Sequence, residues 1–336
     1  MSIGVCLIGC GGMGVQHGQA WNAREDAEIV AVFDPVESSR NDAADTLGGE
    51  PYATYAEAID HDGVQAVSIA TPTCFHREIA CYALERGRHV LCEKPLAGSP
   101  EDCDAMVAAA ENSGVQLCVG HQYRDFPRNV RVKRAITEGE MGSPILARYS
   151  LVLEVRPKLA MHRMSQNMGP VVDVAGHFVD LMRYFTQAEP TQVFATGATY
   201  GRGKPRLASI GDDDLAVDAA HMQVRFEGGH AMTLEVVWGM PEDFPGFMTE
   251  QVVGPKGLMR KMPDSCELVF GKDKIETLDS SNLGPAPRVN DLADAITKGR
   301  PVSVSGHDGR AAALTCLAAL ESIETGRVVK VAAQPV

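Results

Sequence analysis

The first 120 residues alternate short apolar runs with helical patterns, and this alternation restricts the fold more than any other feature of the chain. The runs lie at 3–8, 29–33, near Tyr52, and at 65–70, 89–92 and 115–119. Most are apolar on both faces, the pattern of strands buried on two sides. Helix signals fall between them. Thr54 and Glu57 form a T-x-x-E capping box. Thr73 is placed to cap a helix through Leu84, with Gly87 as its stop. Ser99-Pro100-Glu101-Asp102 offers a cap followed by proline at the first helical position, and Gly114 ends that helix. Strands and helices in this order predict a parallel sheet covered by helices, with right-handed crossovers.

The rhythm changes after Gly120. Residues 123–139 read as one more helix, and then apolar residues recur with period two. Ile145, Ala147, Tyr149, Leu151 and Leu153 share one face of a strand. Met222, Val224 and Phe226 share another, as do Met232, Leu234, Val236 and Trp238. Glu227-Gly228-Gly229-His230 between them is a hairpin signal. The pattern predicts an antiparallel sheet with one buried face. Helices near 172–185, 289–297 and 309–325 would cover it or return to the first domain. The expected division is a doubly wound α/β domain at 1–120 and an α+β domain at 121–336, which suits a length of 336 residues.

Charge narrows the partners. Lys and Arg number 31 against 44 Asp and Glu, a formal balance of −13 that nucleic-acid phosphates and anionic membranes repel. The cluster Arg124, Arg128, Arg131, Lys133 and Arg134 reads as a solvated helix face. The nine cysteines have irregular spacing and no C-x-x-C, against a disulfide framework or a zinc ribbon. Such thiols predict a reducing cytoplasm. The opening Met-Ser-Ile-Gly-Val lacks the basic segment of a signal peptide. No apolar run approaches the ~20 residues that span a bilayer. The expectation is no nucleic acid, no membrane and no metal.

Gly9-Cys10-Gly11-Gly12-Met13-Gly14 matches G-x-G-x-x-G directly after the first strand and at a helix start. One glycine makes the tight turn, one admits a pyrophosphate to the backbone, and one lets helix and strand pack closely. The helix N-terminus then presents free N–H groups to the phosphates. Asp34, 20 residues past Gly14, ends the next strand. A carboxylate there accepts hydrogen bonds from the adenosine ribose and repels a 2′-phosphate. The predicted cofactor is therefore NAD rather than NADP, with Arg40 as the residue able to receive such a phosphate.

Two further positions carry candidate chemistry. Glu93-Lys94-Pro95 lies where a parallel strand ends, which is where ligands bind in such sheets. Lys94, among apolar runs and facing a cationic nicotinamide, is expected to have a lowered pKa and to exchange a proton with a substrate hydroxyl. The competing reading is a surface salt bridge with Glu93. Asp173 and His177 are i, i+4 neighbours on one predicted helix, with Asp180 a turn beyond. They read either as a proton network or as a capping aspartate and a buried histidine. Arg156, Lys158, His162 and Arg163 form a basic segment before that helix. It reads as a solvated loop or as a holder for an acidic substrate group, through Arg156 and Arg163 above all.

Taken together these motifs resemble the Gfo/Idh/MocA oxidoreductase family, which includes sugar oxidoreductases and inositol dehydrogenases. The likeness runs from Gly9–Gly14 through Ala70-Thr71-Pro72 with His76, Glu93-Lys94-Pro95, Gly169 to Asp180, and on to 303–309 and Thr325-Gly326-Arg327. It implies a Rossmann domain followed by an α+β domain whose large, open, mostly antiparallel sheet makes homodimers or homotetramers. It implies that Lys94 is the catalytic acid/base, and that Asp173 and His177 bind substrate and relay protons. It implies that Thr71, Pro72 and His76 line the dinucleotide and that Glu93 approaches the nicotinamide. Two departures stand out. Gly120-His121-Gln122 replaces a common Gly-Phe-Asn, which makes Gln122 the candidate amide near nicotinamide or substrate. Pro170 replaces a usual glycine.

The implied reaction is hydride transfer between nicotinamide and a carbinol carbon of a sugar, sugar derivative or cyclic polyol. Two alternatives use the same fold: an NAD-assisted glycosidase that oxidises its sugar transiently, and a dinucleotide-sensing regulator without catalysis. A complete Lys94, Asp173 and His177 set weighs against the regulator, which has no use for a proton relay.

Overall fold

The computed structural model describes residues 2–332, and they form two compact units. One runs to Gln122 and includes Leu283–Arg310; the other comprises Tyr123–Asn282 and the chain from Ala311 on.

The first unit holds strands β1 (Ile3–Ile8), β2 (Ala27–Phe33), β3 (Glu50–Tyr52), β4 (Ala66–Ile69), β5 (His89–Cys92) and β6 (Leu117–Val119). Their order is β3-β2-β1-β4-β5-β6 and every pairing is parallel. Between them run α1 (Gly12–Asn22), α2 (Glu37–Leu47), α3 (Tyr55–Asp60), α4 (His76–Glu85) and α5 (Pro100–Ser113). β1 and β4 are buried at every position, because each side chain has to leave water on whichever side it points. Val5, Leu7, Val32 and Leu91 pack with Trp21 and Leu47, and with Val289, Leu292 and Ala293 from the helix Ala286–Lys298.

The expected caps at Thr54 and Ser99 form. Thr54 Oγ1 accepts from Glu57 N at 3.2 Å, and the Glu57 carboxylate accepts from Thr54 N. Ser99 Oγ accepts from Asp102 N at 3.1 Å. Thr73 departs from expectation. It lies in a 3-10 turn, Thr73–Phe75, and the α-helix starts at His76 without a side-chain cap. Pro72 places that turn, its carbonyl accepting from Phe75 N, so the backbone bridges the gap a cap would fill.

The second unit contains α6 (Pro127–Thr137), β7 (Leu146–Glu154), α7 (Pro170–Asp173), α8 (Ala175–Thr186), β8 (Pro190–Ala198), β9 (Ala219–Phe226), β10 (Ala231–Met240), β11 (Phe247–Gly254), β12 (Gly257–Met262), β13 (Ser265–Gly271) and β14 (Lys274–Thr277). In chain order α9 (Ala286–Lys298), which belongs to the first unit, then α10 (Gly306–Thr325) and a short β15 (Val329–Lys330) follow. The nine-stranded order is β14-β13-β12-β11-β7-β10-β9-β8-β15, antiparallel except for β7 with β10. Period two decides the faces. Ile145, Ala147, Tyr149 and Leu151 join Met222, Val224, Leu234 and Trp238 under Phe178, Met182 and Phe185 of α8. The Glu227–His230 turn closes the β9–β10 hairpin, with Phe226 N donating to His230 O at 2.8 Å.

The basic cluster is a solvated face only at Arg134; the other members are half-buried or buried. Arg128 is 3% exposed and paired with Glu250 at 2.9 Å. Arg124 is bound to Asp180, Arg131 to Glu140 and Glu276, and Arg134 to Glu138. The Lys133 ammonium lies over the Tyr184 ring. Asp180, Glu250 and Glu276 arrive from elements far along the chain, which local spacing does not foresee, whereas Glu138 is an i, i+4 neighbour. No helix among the described residues is long and apolar enough to cross a membrane.

Candidate active site

In the first unit the glycine turn follows β1 directly. Gly9 has φ +89°, and a side chain there would meet the Ala70 backbone at 2.9 Å. A Cβ on Gly14 would lie 1.7 Å from the Gly9 carbonyl oxygen. These contacts explain two of the three glycines. Gly11 and Gly12 are exposed, and Met13 is half-buried. No side chain caps α1 and no acid sits in its first turn, so its N–H groups and its positive end are open to an anion. Asp34 follows β2. Its Oδ2 accepts from Cys10 N at 2.8 Å and its Oδ1 from Val36 N at 2.9 Å. Each oxygen keeps a second lone pair for a ribose hydroxyl. Arg40 donates to the Asp34 carbonyl oxygen at 3.1 Å, beside the same carboxylate.

Two buried polar atoms at the same sheet end lack partners among the described residues, Thr71 Oγ1 and Gln122 Oε1. Buried polar atoms are normally hydrogen-bonded, so the pair fits a cofactor rich in hydroxyl and amide groups. The glycine turn, the uncapped helix start and these two oxygens together fit a dinucleotide. Pro72 is half-buried beside Thr71. His76, by contrast, turns inward. It is 1% exposed, its Nδ1 lies 2.9 Å from Pro95 O and its Nε2 3.0 Å from Thr71 O. It ties together two loops at this sheet end, and burial lowers its pKa despite those carbonyls.

Glu93 also points inward, 6% exposed. Its Oε1 lies 3.1 Å from His17 Nε2, and its Oε2 accepts from the backbone N–H of Lys94 at 3.2 Å. Nδ1 of His17 is 2.8 Å from Ser68 Oγ. Burial pushes the Glu93 carboxyl up, but the His17 hydrogen bond and the His17 and Lys94 charges outweigh it and hold it below its ordinary value. His17 and Ser68 were not among the candidates read from the sequence. A signal was present. His17 occupies the buried stripe of α1 with Gly14, Gly18 and Trp21, where a polar side chain needs a partner.

In the second unit the expected single helix is broken. Met168 (φ 62°) and Gly169 (φ 70°) turn the chain into Pro170, which opens α7, and Val174 at φ −112°, ψ −35° separates α7 from α8. Asp173 therefore ends one short helix and His177 lies in the next, so ideal i, i+4 geometry does not relate them. Both are buried, at 4% and 3% exposure. Asn167 Nδ2 donates to Asp173 Oδ1 at 3.3 Å. The His177 ring stacks on Tyr123, with centroids 4.2 Å apart and 6° between planes. Tyr123 and Asn167 are thus contacts that spacing alone did not reveal. Asp180 is fully buried and holds the Arg124 guanidinium with both oxygens, so it serves as an anchor. In the basic segment, Arg163 is held by Asp214 at 2.7 Å and by Ser209 O at 3.3 Å. Arg156 is half-buried, and its carbonyl meets the His162 ring at 3.2 Å.

Comparison with known proteins agrees with both halves. Residues 3–121 match the oxidoreductase family with an NAD-binding Rossmann fold, and residues 129–260 match the GFO/IDH/MocA C-terminal domain. A myo-inositol 2-dehydrogenase of Thermotoga maritima is 29% identical, with 98% of each chain covered. The NAD⁺-dependent scyllo-inositol 2-dehydrogenase of Bacillus subtilis is 29% identical over 75% of this chain and 71% of its own. A levoglucosan dehydrogenase solved with NADH and levoglucosan superimposes with a TM-score of 0.87 at 24% identity, covering 99% of this chain and all of that one. With its glycine turn, its strand-end lysine and both of its sheets accounted for, the chain belongs to the Gfo/Idh/MocA family of NAD-binding oxidoreductases.

Proposed function

We propose that the protein is an NAD-dependent dehydrogenase of a sugar, sugar derivative or cyclic polyol, with Lys94 as the acid/base. The observation that carries this reading is the place of Lys94. It follows β5 at the carboxyl end of a parallel sheet, and its backbone N–H is fixed by the buried Glu93 carboxylate. Ligands of such sheets bind at that end. The inositol dehydrogenases among the relatives support a polyol substrate.

Gly9, Gly11, Gly12 and Gly14, with the open start of α1, hold the pyrophosphate. Asp34 takes the ribose hydroxyls and selects NAD over NADP, while Arg40 stays tied to the Asp34 carbonyl. Thr71 and Gln122 use their unpaired oxygens on the cofactor. When bound, NAD⁺ supplies the hydride acceptor. In the oxidative direction the neutral Lys94 amine takes the carbinol hydroxyl proton, the C–H bond breaks with its electron pair, and the carbinol becomes a carbonyl. Asp173 and His177 hold the substrate hydroxyls and pass protons, with His177 kept in plane by Tyr123. Arg163 is already neutralised by Asp214, which favours neutral substrates over acidic ones and leaves Arg156 as the remaining candidate for an acidic group. Residues 1–120 act as the dinucleotide domain and 121–336 as the substrate domain.

The outer face of the second sheet carries Val152, Ala219 and Val237 with Met240 and Phe244, flanked by the exposed Phe194. The large open sheet supports a homodimer or homotetramer through this face, with the exposed Phe194 among its contacts, in a cytoplasmic enzyme.

The test is NADH formation, followed by absorbance, with neutral and acidic sugars and inositols, using both cofactors. Turnover with a neutral polyol and NAD⁺ is expected. Lys94→Ala should lower kcat by about 10²–10⁴-fold and leave NADH affinity within a few-fold. Near-normal turnover in that variant refutes the assignment.

A further inference from the structure

A single side chain of α1 reaches two strands of the first sheet. His17 Nδ1 meets Ser68 Oγ on β4, and His17 Nε2 meets Glu93 Oε1 just past β5. His17 and Ser68 are wholly buried and Glu93 nearly so. A buried carboxylate is tolerated only when its lone pairs are met, and here both oxygens are. One takes His17, and the other takes the backbone N–H of Lys94. Gly120 completes the arrangement from the far side. A Cβ there would lie 2.7 Å from Glu93 Oε1, so only glycine leaves the carboxylate its place. The network reaches Lys94 through that residue's backbone N–H.

We propose that His17 is a positioning residue for proton transfer: anchored by Ser68, it fixes the Glu93 carboxylate, which in turn fixes the backbone and hence the amine of Lys94. The proposal rests on Lys94 being the acid/base. Misplacement of a reacting group by about 1 Å costs on the order of 10²-fold in rate, whereas binding contacts elsewhere are unaffected. Losing His17 should therefore appear in kcat and not in affinity.

The experiment uses the full-length protein with NAD⁺ and the polyol that it turns over. Active sites are counted by NADH-binding stoichiometry. His17→Leu removes the donor to Glu93 and the contact with Ser68. It is expected to lower kcat per NADH-binding site at least 10-fold, with NADH affinity and polyol KM within about 3-fold of the parent. His17→Gln, whose amide keeps a donor for Glu93, is expected to restore kcat to within about 3-fold. Gly120→Ala removes no hydrogen-bonding group, yet pushes the carboxylate aside, and it should lower kcat in the same way; it also serves if His17→Leu does not fold. A merely structural role would lower the melting temperature or the number of binding sites, with kcat per site unchanged, and that result overturns the proposal. Lys94→Ala is measured alongside. If it keeps turnover, the acid/base reading falls and this proposal with it. If it is inactive while His17→Leu and Gly120→Ala turn over normally per site, only the role of His17 falls.

Discussion

Each unit buries a carboxylate against a base, and the two pairs differ in a way that bears on function. In the first unit Glu93 meets His17, and both of its oxygens are occupied. In the second, Glu250 on β11 meets Arg128 of α6 at 2.9 Å, with Lys261 3.8 Å away. Glu250 Oε2 and Arg128 Nε have no partners among the described residues. Arginine stays charged at any working pH, so the Glu250 pair is a fixed brace between helix and sheet. A histidine ring can carry one proton or two, so its charge is not fixed by its chemistry alone. The carboxylate that accepts from the Lys94 backbone N–H has the adjustable partner, and Glu250, on a strand of the second sheet, has the permanent one. Of the two, the first is hydrogen-bonded to Lys94.

Breaking the permanent pair should have the larger effect on stability. Arg128→Met leaves Glu250 buried with only the more distant Lys261, a loss of about 3–5 kcal/mol for such a pair. That corresponds to a fall in Tm on the order of 10 °C for a chain of this size, measured by thermal melting. Arg128→Met with Glu250→Leu should recover most of the loss, because a well-packed apolar pair substitutes for a buried ion pair. Failure to recover would mean that the brace does more than neutralise charge.

The adjustable pair should show itself through pH. In the parent protein Glu93 has a depressed pKa, so its contribution to stability is present above the unfolded value of about 4.3 and is lost as pH falls through the folded value. In His17→Leu the burial effect is left unopposed apart from Lys94. The folded pKa then rises above the unfolded one, and stability drops as pH climbs through it. The gap in Tm between parent and His17→Leu is thus expected to be wider at pH 7 than at pH 4. His76 and Cys92 also lie close to Glu93, and both are present in each protein, so they cancel in the difference. An equal gap at both pH values would show that Glu93 does not carry the effect.

The smallest expected change lies at the surface of the first unit. Thr54→Ala removes a capping box and should cost about 1 kcal/mol, a Tm shift of a few degrees at most, with kcat unchanged. It gives the scale against which the two buried pairs are judged.

Local rules recovered much of this molecule. The two-sided burial of β1 and β4, the period-two face of β7, β9 and β10, the Thr54 capping box, the Ser99 cap and the glycine hairpin each depend on residues within a few positions of one another. So does the glycine turn with Asp34, since a tight turn and a helix start are local events. Partners distant in the chain were not legible in this way. Asp180 looks from its spacing like a companion of His177, yet it holds Arg124, 56 residues away. The α7–α8 break at Val174 comes from Gly169 and Pro170 setting a new helix start, and a periodic apolar pattern runs across it unchanged.

The sequence by itself determined which residues leave water and where the backbone turns, because burial period and glycine or proline geometry act over one or two helical turns. It therefore fixed two sheets of different kinds and the address of Lys94 at a strand end. Which charges meet was decided only by tertiary structure. A carboxylate and a base are brought within 3 Å by the folding of separate elements, as His17 and Glu93 are across 76 positions of chain, and Coulomb attraction depends on that distance and on the water excluded around it.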